Sequence, residues 1–272
     1  MDIVYQWQPW AYSHQVWLEV AKKINMPSTA VKWLFSFKDM FEYVTENKGS
    51  LWIVPIENSY AGSVHENFFN LVKYPVKIIG EYYLPIEHCL VGTGSDLNKV
   101  KKAYSHYQAL MQCENYLEKH NIQPVIWVDT AGSAKFVKEK SDPTLAAISS
   151  ELAAKIYWLN ILDRKINDQK GNTTRFFIIS HRDSPISLVS NFTKKSLVFK
   201  VKDMPAVLYK CLWAFATRWI NLTKIESIPT QEKKFEYMFW IDLELPKNEK
   251  ILEEALNELW FFAKEVKLLG KY

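Results

Sequence analysis

Asp168-Gln169-Lys170-Gly171-Asn172-Thr173-Thr174-Arg175-Phe176-Phe177-Ile178-Ile179-Ser180 runs from a polar, glycine-containing loop straight into an apolar β-type run. That layout sets Asn172, Thr173, Thr174 and Arg175 at the mouth of a strand, and strand ends are where α/β sheets hold their ligands. A threonine hydroxyl offers one proton along a fixed direction. An arginine offers a permanently charged planar fork suited to carboxylates. Alone, a Thr-Arg-Phe triplet reads equally well as a loop arginine in a surface ion pair, so its neighbours decide.

Three further junctions repeat the layout. The apolar run Trp52-Ile53-Val54-Pro55-Ile56 ends in Glu57-Asn58-Ser59. A strand from Val100 to Tyr104 ends at Ser105-His106, and a helix from about Gln108 to His120 then sets Gln108 and Gln112 on one face. A strand from Ile122 to Val128 ends in Asp129-Thr130-Ala131-Gly132-Ser133, where a second helix begins with backbone N–H groups open to an anion. Ser63 as N-cap, with Glu66 in the capping-box position, predicts a helix reaching Val72. Strands alternating with helices through residues 1–180 indicate an α/β fold with parallel or mixed sheets. Four polar clusters at junctions indicate a cleft for a small molecule.

Past a linker around Pro185–Thr193 the pattern changes. Strand 196–201, helix 206–217, strands 220–227 and 235–243, helix 248–265 and strand 266–269 give the order βαββαβ, a ferredoxin-like domain of about 75 residues.

Bulk properties narrow the function. A chain of 272 residues, 48% hydrophobic and 24% charged, has globular composition and room for two domains. A net charge of +4 is too small and dispersed to indicate a nucleic-acid partner. No apolar window of about 18 uncharged residues predicts a membrane span. Met1-Asp2-Ile3-Val4-Tyr5 lacks the pattern of a signal peptide. Cys89, Cys113 and Cys211 are odd in number and far apart, which suits a reducing cytoplasmic compartment and predicts no disulfide or metal framework.

Several segments, in order, make the chain resemble the prephenate dehydratases. They are Val54-Pro55-Ile56-Glu57-Asn58-Ser59 with Gly62-Ser63-Val64, Gly80-Glu81 with Leu84-Pro85-Ile86, and Ser105-His106 with Gln108 and Gln112-Cys113. Asp129 through Ala134, Ala146-Ala147-Ile148 and Asn172 through Phe176 complete the set. Residues 195–272, with Pro205 through Tyr209 and Asn221 through Ser227, resemble an ACT regulatory domain.

The resemblance implies a two-lobed catalytic domain of the type II periplasmic-binding-protein kind over residues 1–182. One lobe would take about 1–79 and 168–182, the other about 80–167. A linker at 183–194 and the ACT domain would follow. The implied reaction removes water and CO₂ from prephenate to give phenylpyruvate, on the way to phenylalanine, without cofactor or metal.

By the same resemblance Thr174 hydrogen-bonds the departing hydroxyl, Arg175 clamps a carboxylate, and Asn58, Ser105 and Gln112 orient the substrate. Ser13, Glu57, Ser59, Thr130, Ala131, Gly132, Ser133 and Thr173 are further candidate substrate contacts. His106 reads as a structural hydrogen-bond partner before a general acid. L-phenylalanine is the implied effector, with Ala206, Val207, Leu208, Glu226 and Ser227 as its site, in a homodimer or homotetramer. Arogenate is an alternative substrate. A non-catalytic binding protein on the same scaffold is the reading from another class, and the retained Thr174–Arg175 pair argues against it.

The departures are also informative. The chain has 8 Gly and 11 Trp, a glycine share of about 3% against the usual 7% or so. Trp7, Trp10, Trp158, Trp213 and Trp219 stand where the family commonly has glycine, and Trp33 and Trp52 are candidates for the same. Codons read as Trp in this sequence but as Gly in the source, as a reassigned UGA would be, explain both counts. UGG at those positions in the gene would exclude it. Ala206 also replaces a usual glycine, and Ile228 an arginine, in the regulatory motifs.

Overall fold

A computed structural model describes residues 3–6, 12–23, 31–34, 36–188, 191–230 and 234–272. In chain order its elements are β1 (Ile3–Gln6), α1 (Tyr12–Lys23), β2 (Val31–Leu34), α2 (Phe37–Glu46), β3 (Leu51–Asn58), β4 (Gly62–Ser63), α3 (His65–Lys73), β5 (Val76–Pro85) and β6 (Cys89–Gly92). There follow β7 (Lys102–Ser105), α4 (Tyr107–Met111), α5 (Glu114–Lys119), β8 (Gln123–Ile126), α6 (Thr130–Lys140), β9 (Leu145–Ser149), α7 (Glu151–Ile156), β10 (Asn160–Arg164) and β11 (Thr173–His181). The last are β12 (Lys194–Val201), α8 (Val207–Ala216), β13 (Leu222–Pro229), β14 (Tyr237–Glu244), α9 (Glu249–Phe262) and β15 (Ala263–Lys271). The fold is mixed α/β. Two compact units interleave along the chain: residues 1–40, 52–64 and 82–176 form one, and residues 41–51, 65–81 and 177–272 the other.

In the first unit, β1 and β2 pair in parallel around α1. A separate five-stranded sheet runs in the order β10-β6-β9-β7-β8. Its central strands are apolar on both faces because both faces are covered. Leu90, Ala146 and Ile148 pack with Ala109, Leu110 and Leu117 of α4 and α5. Their strand neighbours Cys89, Val91 and Ala147 pack with Ala134 and Val137 of α6 and Ala153 and Ala154 of α7. Adjacent strand residues point to opposite faces, so a continuous apolar run serves two cores.

Two expected helices differ. The helix expected over 108–120 is two short ones, and the cause is Asp168. Its backbone N–H donates to the Gln112 carbonyl, while its carboxylate accepts from the Asn115 and Tyr116 N–H groups at 2.9 and 3.1 Å. The bond from Tyr116 N–H to the Gln112 carbonyl that would continue the helix is thus replaced at both ends. The helix expected from Ser63 starts at His65, and Ser63 itself pairs with Glu57 in the β3–β4 hairpin.

In the second unit, β12 to β15 form antiparallel neighbours in the order β13-β14-β12-β15. Their apolar face meets Cys211, Ala214 and Phe215 of α8 and Leu252, Ala255 and Leu259 of α9 in one core. On its other side β15 meets β5 in parallel at Gly270 and Ile78. A side chain at Gly270 would run into the Ile78 carbonyl oxygen, so glycine is required by close approach. Among the described residues no helix is long and apolar enough to cross a membrane.

Backbone geometry separates the tryptophans. Trp158 and Trp219 both have φ of 54°, the left-handed region. Trp213 lies within α8, stacked on Tyr209 with ring centroids 5.7 Å apart. Trp52 is wholly buried in β3 and packs on Phe37, as a core residue does. Trp7 and Trp10, and the Trp33 side chain, lie outside the described residues.

Candidate active site

The first unit encloses a cavity of about 480 Å³, within the range of small-molecule sites. Phe37, Pro55, Ile86 and Phe176 give it an apolar wall. Ser13, Glu57, Asn58, His88, His106, Gln108, Gln112, Asp129, Thr130 and Thr174 give it polar groups. Its lining therefore comes from strand ends and helix starts: the end of β3, the start of β11, the first turns of α1 and α4, Gln112 at the end of α4, and the approach to α6.

Strand alternation decides which part of Thr174-Arg175-Phe176 faces the cavity. Thr174 and Phe176 line it, and Arg175 does not. Arg175 is 4% exposed. Its Nη1 lies 3.1 Å from Glu57 Oε1, and its guanidinium sits 5.8 Å from the centre of the Tyr83 ring. The expected carboxylate clamp is thus turned away and paired with Glu57. Period-2 reasoning on a strand beginning at Thr173 would have found this.

Around Thr174 runs a continuous polar chain. The Asn58 Nδ2 donates to Thr174 Oγ1 at 3.0 Å and to Asn172 Oδ1 at 2.6 Å. Asn172 Nδ2 donates to Gln112 Oε1 at 2.8 Å. Gln112 Oε1 also lies 3.0 Å from His88 Nε2, and His88 Nδ1 lies 2.9 Å from the Tyr12 hydroxyl. His88 is 2% exposed, and burial lowers its pKa to about 4, so the ring is neutral at pH 7. Burial likewise pushes the Tyr12 hydroxyl well up, keeping its proton on. His106 is the N-cap of α4, accepting from the Gln108 N–H at 3.3 Å, and burial lowers its pKa as well.

The remaining expected contacts fall elsewhere. Ser105 is fully buried, and its hydroxyl donates to the Ile148 carbonyl at 2.7 Å, away from the cavity lining. At the helix start expected to hold an anion, the Gly132 N–H is already taken. Asp129 caps α6, accepting from the Gly132 N–H at 2.5 Å, and a Cβ on Gly132 would meet the same carboxylate. Ala131 and Ser133 are buried, and the Ser133 hydroxyl donates to the Thr130 carbonyl. Ser59 and Thr173 tie their strands together, the Ser59 hydroxyl accepting from the Thr173 N–H at 3.0 Å. Tyr12 and His88 join the site without having been named, whereas Asn172 and Asp129 belong to the junction clusters read in the sequence but were given no role there. His88 carries a legible signal, being a lone histidine beside the apolar run Cys89-Leu90-Val91.

In the second unit, Ala206 precedes α8 with φ of 57°, the conformation that the glycine it replaces would supply. Val207 and Leu208 open α8. Glu226 and Ser227 lie on β13, where Glu226 pairs with Lys224 at 3.3 Å. Ile228 is buried and sits opposite Met238 of β14.

Residues 3–184 match the family model described as prephenate dehydratase. A protein of Methanocaldococcus jannaschii named prephenate dehydratase is 44% identical over 239 residues, 87% of this chain and 85% of its own. Arogenate dehydratase/prephenate dehydratase 2, chloroplastic, of Arabidopsis thaliana is 38% identical over 246 residues, and the chain spans only 64% of its length. The crystal structure of prephenate dehydratase in complex with L-Phe from Arthrobacter aurescens superposes with a TM-score of 0.88 at 27% identity, covering 100% of this chain and 89% of that one.

Proposed function

The chain belongs to the prephenate dehydratase family, and on that premise we propose that it converts prephenate to phenylpyruvate, water and CO₂ in the cavity around Thr174. The observation that carries the reading is Thr174 Oγ1 on the cavity wall, accepting a hydrogen bond from Asn58 and so keeping its own proton for another acceptor.

The step balances with one proton taken up. The bond from the ring to its carboxylate breaks and CO₂ leaves. The electron pair forms a ring double bond, the C–O bond to the ring hydroxyl breaks, and the hydroxyl departs as water. Aromatisation supplies the driving force. Thr174 stabilises the departing oxygen by a positioned hydrogen bond, since a threonine is too weak an acid to be the proton's source. The apolar wall of Phe37, Ile86 and Phe176 suits the ring and keeps water out.

Thr174→Ala tests this. Phenylpyruvate formation should fall about 100-fold or more, a loss typical of one positioned donor, with the protein still folded. Wild-type protein that makes no phenylpyruvate would sink the reading.

Arogenate is the second reading, on a specific observation. No Lys or Arg is among the described lining residues, so no cation there repels a substrate's ammonium, while the lining carboxylates of Glu57 and Asp129 are shared with Arg175 and the Gly132 N–H. The same assay on both substrates ranks them by kcat/KM.

The finer organisation is also proposed. Residues 1–182 would form the two-lobed catalytic domain, with lobes of about 1–79 with 168–182 and 80–167. A linker at 183–194 and an ACT domain at 195–272 would follow. The antiparallel order β13-β14-β12-β15 with α8 and α9 on one face supports the ferredoxin-like assignment. L-phenylalanine is the proposed effector, because a relative was solved in complex with it. The site would involve Ala206, Val207, Leu208, Glu226 and Ser227 in a homodimer or homotetramer, and the protein would work in the cytoplasm.

A further inference from the structure

We infer that His88 and Tyr12 are positioning residues for this reaction: they form the far end of a one-directional hydrogen-bond chain that leaves the Thr174 proton facing the substrate. The inference rests on the dehydratase reading only for its kinetic consequence.

The direction follows from groups that cannot turn round. The Asn58 Oδ1 accepts from the backbone N–H groups of Tyr60 and Ala61 at 3.0 and 2.9 Å. Backbone N–H groups only donate, so Oδ1 must face them and Nδ2 must face Thr174 and Asn172. Each later link is then forced. Asn172 presents its oxygen to Asn58 and therefore its Nδ2 to Gln112. Gln112 presents Oε1 to Asn172 and to His88. An amide oxygen only accepts, so His88 carries its single proton on Nε2. Nδ1 is bare and accepts from the Tyr12 hydroxyl. The opposite tautomer would set two acceptors against each other at the Gln112–His88 link.

The backbone fixes Asn58 and, through it, Asn172, so what the far end of the chain adds is a hold on the Gln112 amide. Gln112 is otherwise held by Asn172 and, at 3.5 Å, by a long contact to Asn58. His88 supplies the second donor to its oxygen and is itself pinned, its backbone N–H donating to Asn167 Oδ1 at 2.7 Å. Tyr12 selects the tautomer. Tyr12 opens α1 and, like Ser13, lines the cavity, so α1 is coupled through His88 to the orientation of the Gln112 amide on the cavity wall.

The test has two arms. Protein labelled with ¹⁵N-histidine is examined at pH 7 by long-range ¹H–¹⁵N correlation, the His88 signals being assigned by their loss in His88→Gln. A protonated-type Nε2 and a bare Nδ1 are expected; the reverse overturns the inference. The second arm compares kcat and KM. His88→Leu should lower kcat about tenfold or more, the equivalent of one lost hydrogen bond of orientation, with KM within about threefold. His88→Gln, whose Nε2 reaches the place of the imidazole Nε2, should restore kcat to within about threefold of wild type. An unchanged kcat in His88→Leu overturns the inference, as does a His88→Gln enzyme no faster than His88→Leu. Should His88→Leu fail to fold, the tautomer and the Gln variant still decide. A wild-type protein without dehydratase activity would refute the reading while the tautomer measurement stood on its own.

Discussion

Trp158 and Trp219 carry indoles on left-handed backbone just past the last turns of α7 and α8. Each sits inside a six-to-one bond, from the Leu159 N–H to the Ala154 carbonyl at 2.9 Å and from the Ile220 N–H to the Phe215 carbonyl at 3.1 Å. This is the Schellman arrangement, and glycine fills the left-handed position because any Cβ there costs about 1–2 kcal/mol. The indoles gain little in return, being 84% and 96% exposed. Trp158→Gly and Trp219→Gly should each raise stability by about 1 kcal/mol, after allowing for the freer glycine in the unfolded chain. Trp213→Gly, inside α8, should lower it by about 1 kcal/mol. Urea midpoints of the three variants check the set; equal changes in all three would remove the distinction. The expectation of glycine codons read as tryptophan keeps a structural motive at positions 158 and 219, and loses it at 52 and 213. At this scale the site was partly legible. Asn58, Gln112 and Thr174 follow apolar runs or helix faces, and the cavity gathers them. Arg175 and Ser105 were read in the same way, from junctions and resemblance, but their directions depend on strand parity and on the Ile148 carbonyl across the sheet.

Elements depend on a few residues far away in sequence. Asp168 ends α4 and starts α5 by taking both partners of the bond that would join them. Periodicity over residues 108–120 gives no sign of this, because the apolar pattern is the same for one helix or two. The alternation of strands and helices was legible, since it rests on local runs and periods. The pairing of β15 with β5 was not, since contacts between residues 78 and 270 leave no local trace. That pairing yields a prediction. In Gly270→Ala the new methyl would meet the Ile78 carbonyl, a backbone group that cannot swing aside. The variant should lose about 2–3 kcal/mol and show faster amide exchange along β15. A melting temperature equal to wild type would show that the two strands can separate without cost.

For the molecule as a whole, stability below neutrality depends on histidines kept neutral by burial. His88 titrates at about 4 and so does His14, in each case because burial disfavours the charged ring. The His88 ring accepts from the Tyr12 hydroxyl and donates to the Gln112 amide oxygen, both uncharged groups, so no acid in direct contact offsets the burial. In the unfolded chain a histidine titrates near 6.5. Between those values the unfolded chain binds a proton that the folded chain refuses, so stability falls as pH drops from 6.5 towards 4 and is flat in this respect above 6.5. For His88 alone the fall is roughly 3 kcal/mol over that window, at about 1.4 kcal/mol per pH unit. Carboxylates contribute their own losses at the acid end, and a difference measurement cancels them. Urea unfolding of wild type and His88→Gln at pH 7, 6 and 5 should give stabilities that converge as pH falls, the wild type losing about one proton's worth of slope more. Parallel curves would mean that His88 takes up its proton in the folded state, and a charged His88 would then donate from both ring nitrogens and force the Tyr12 hydroxyl to turn round.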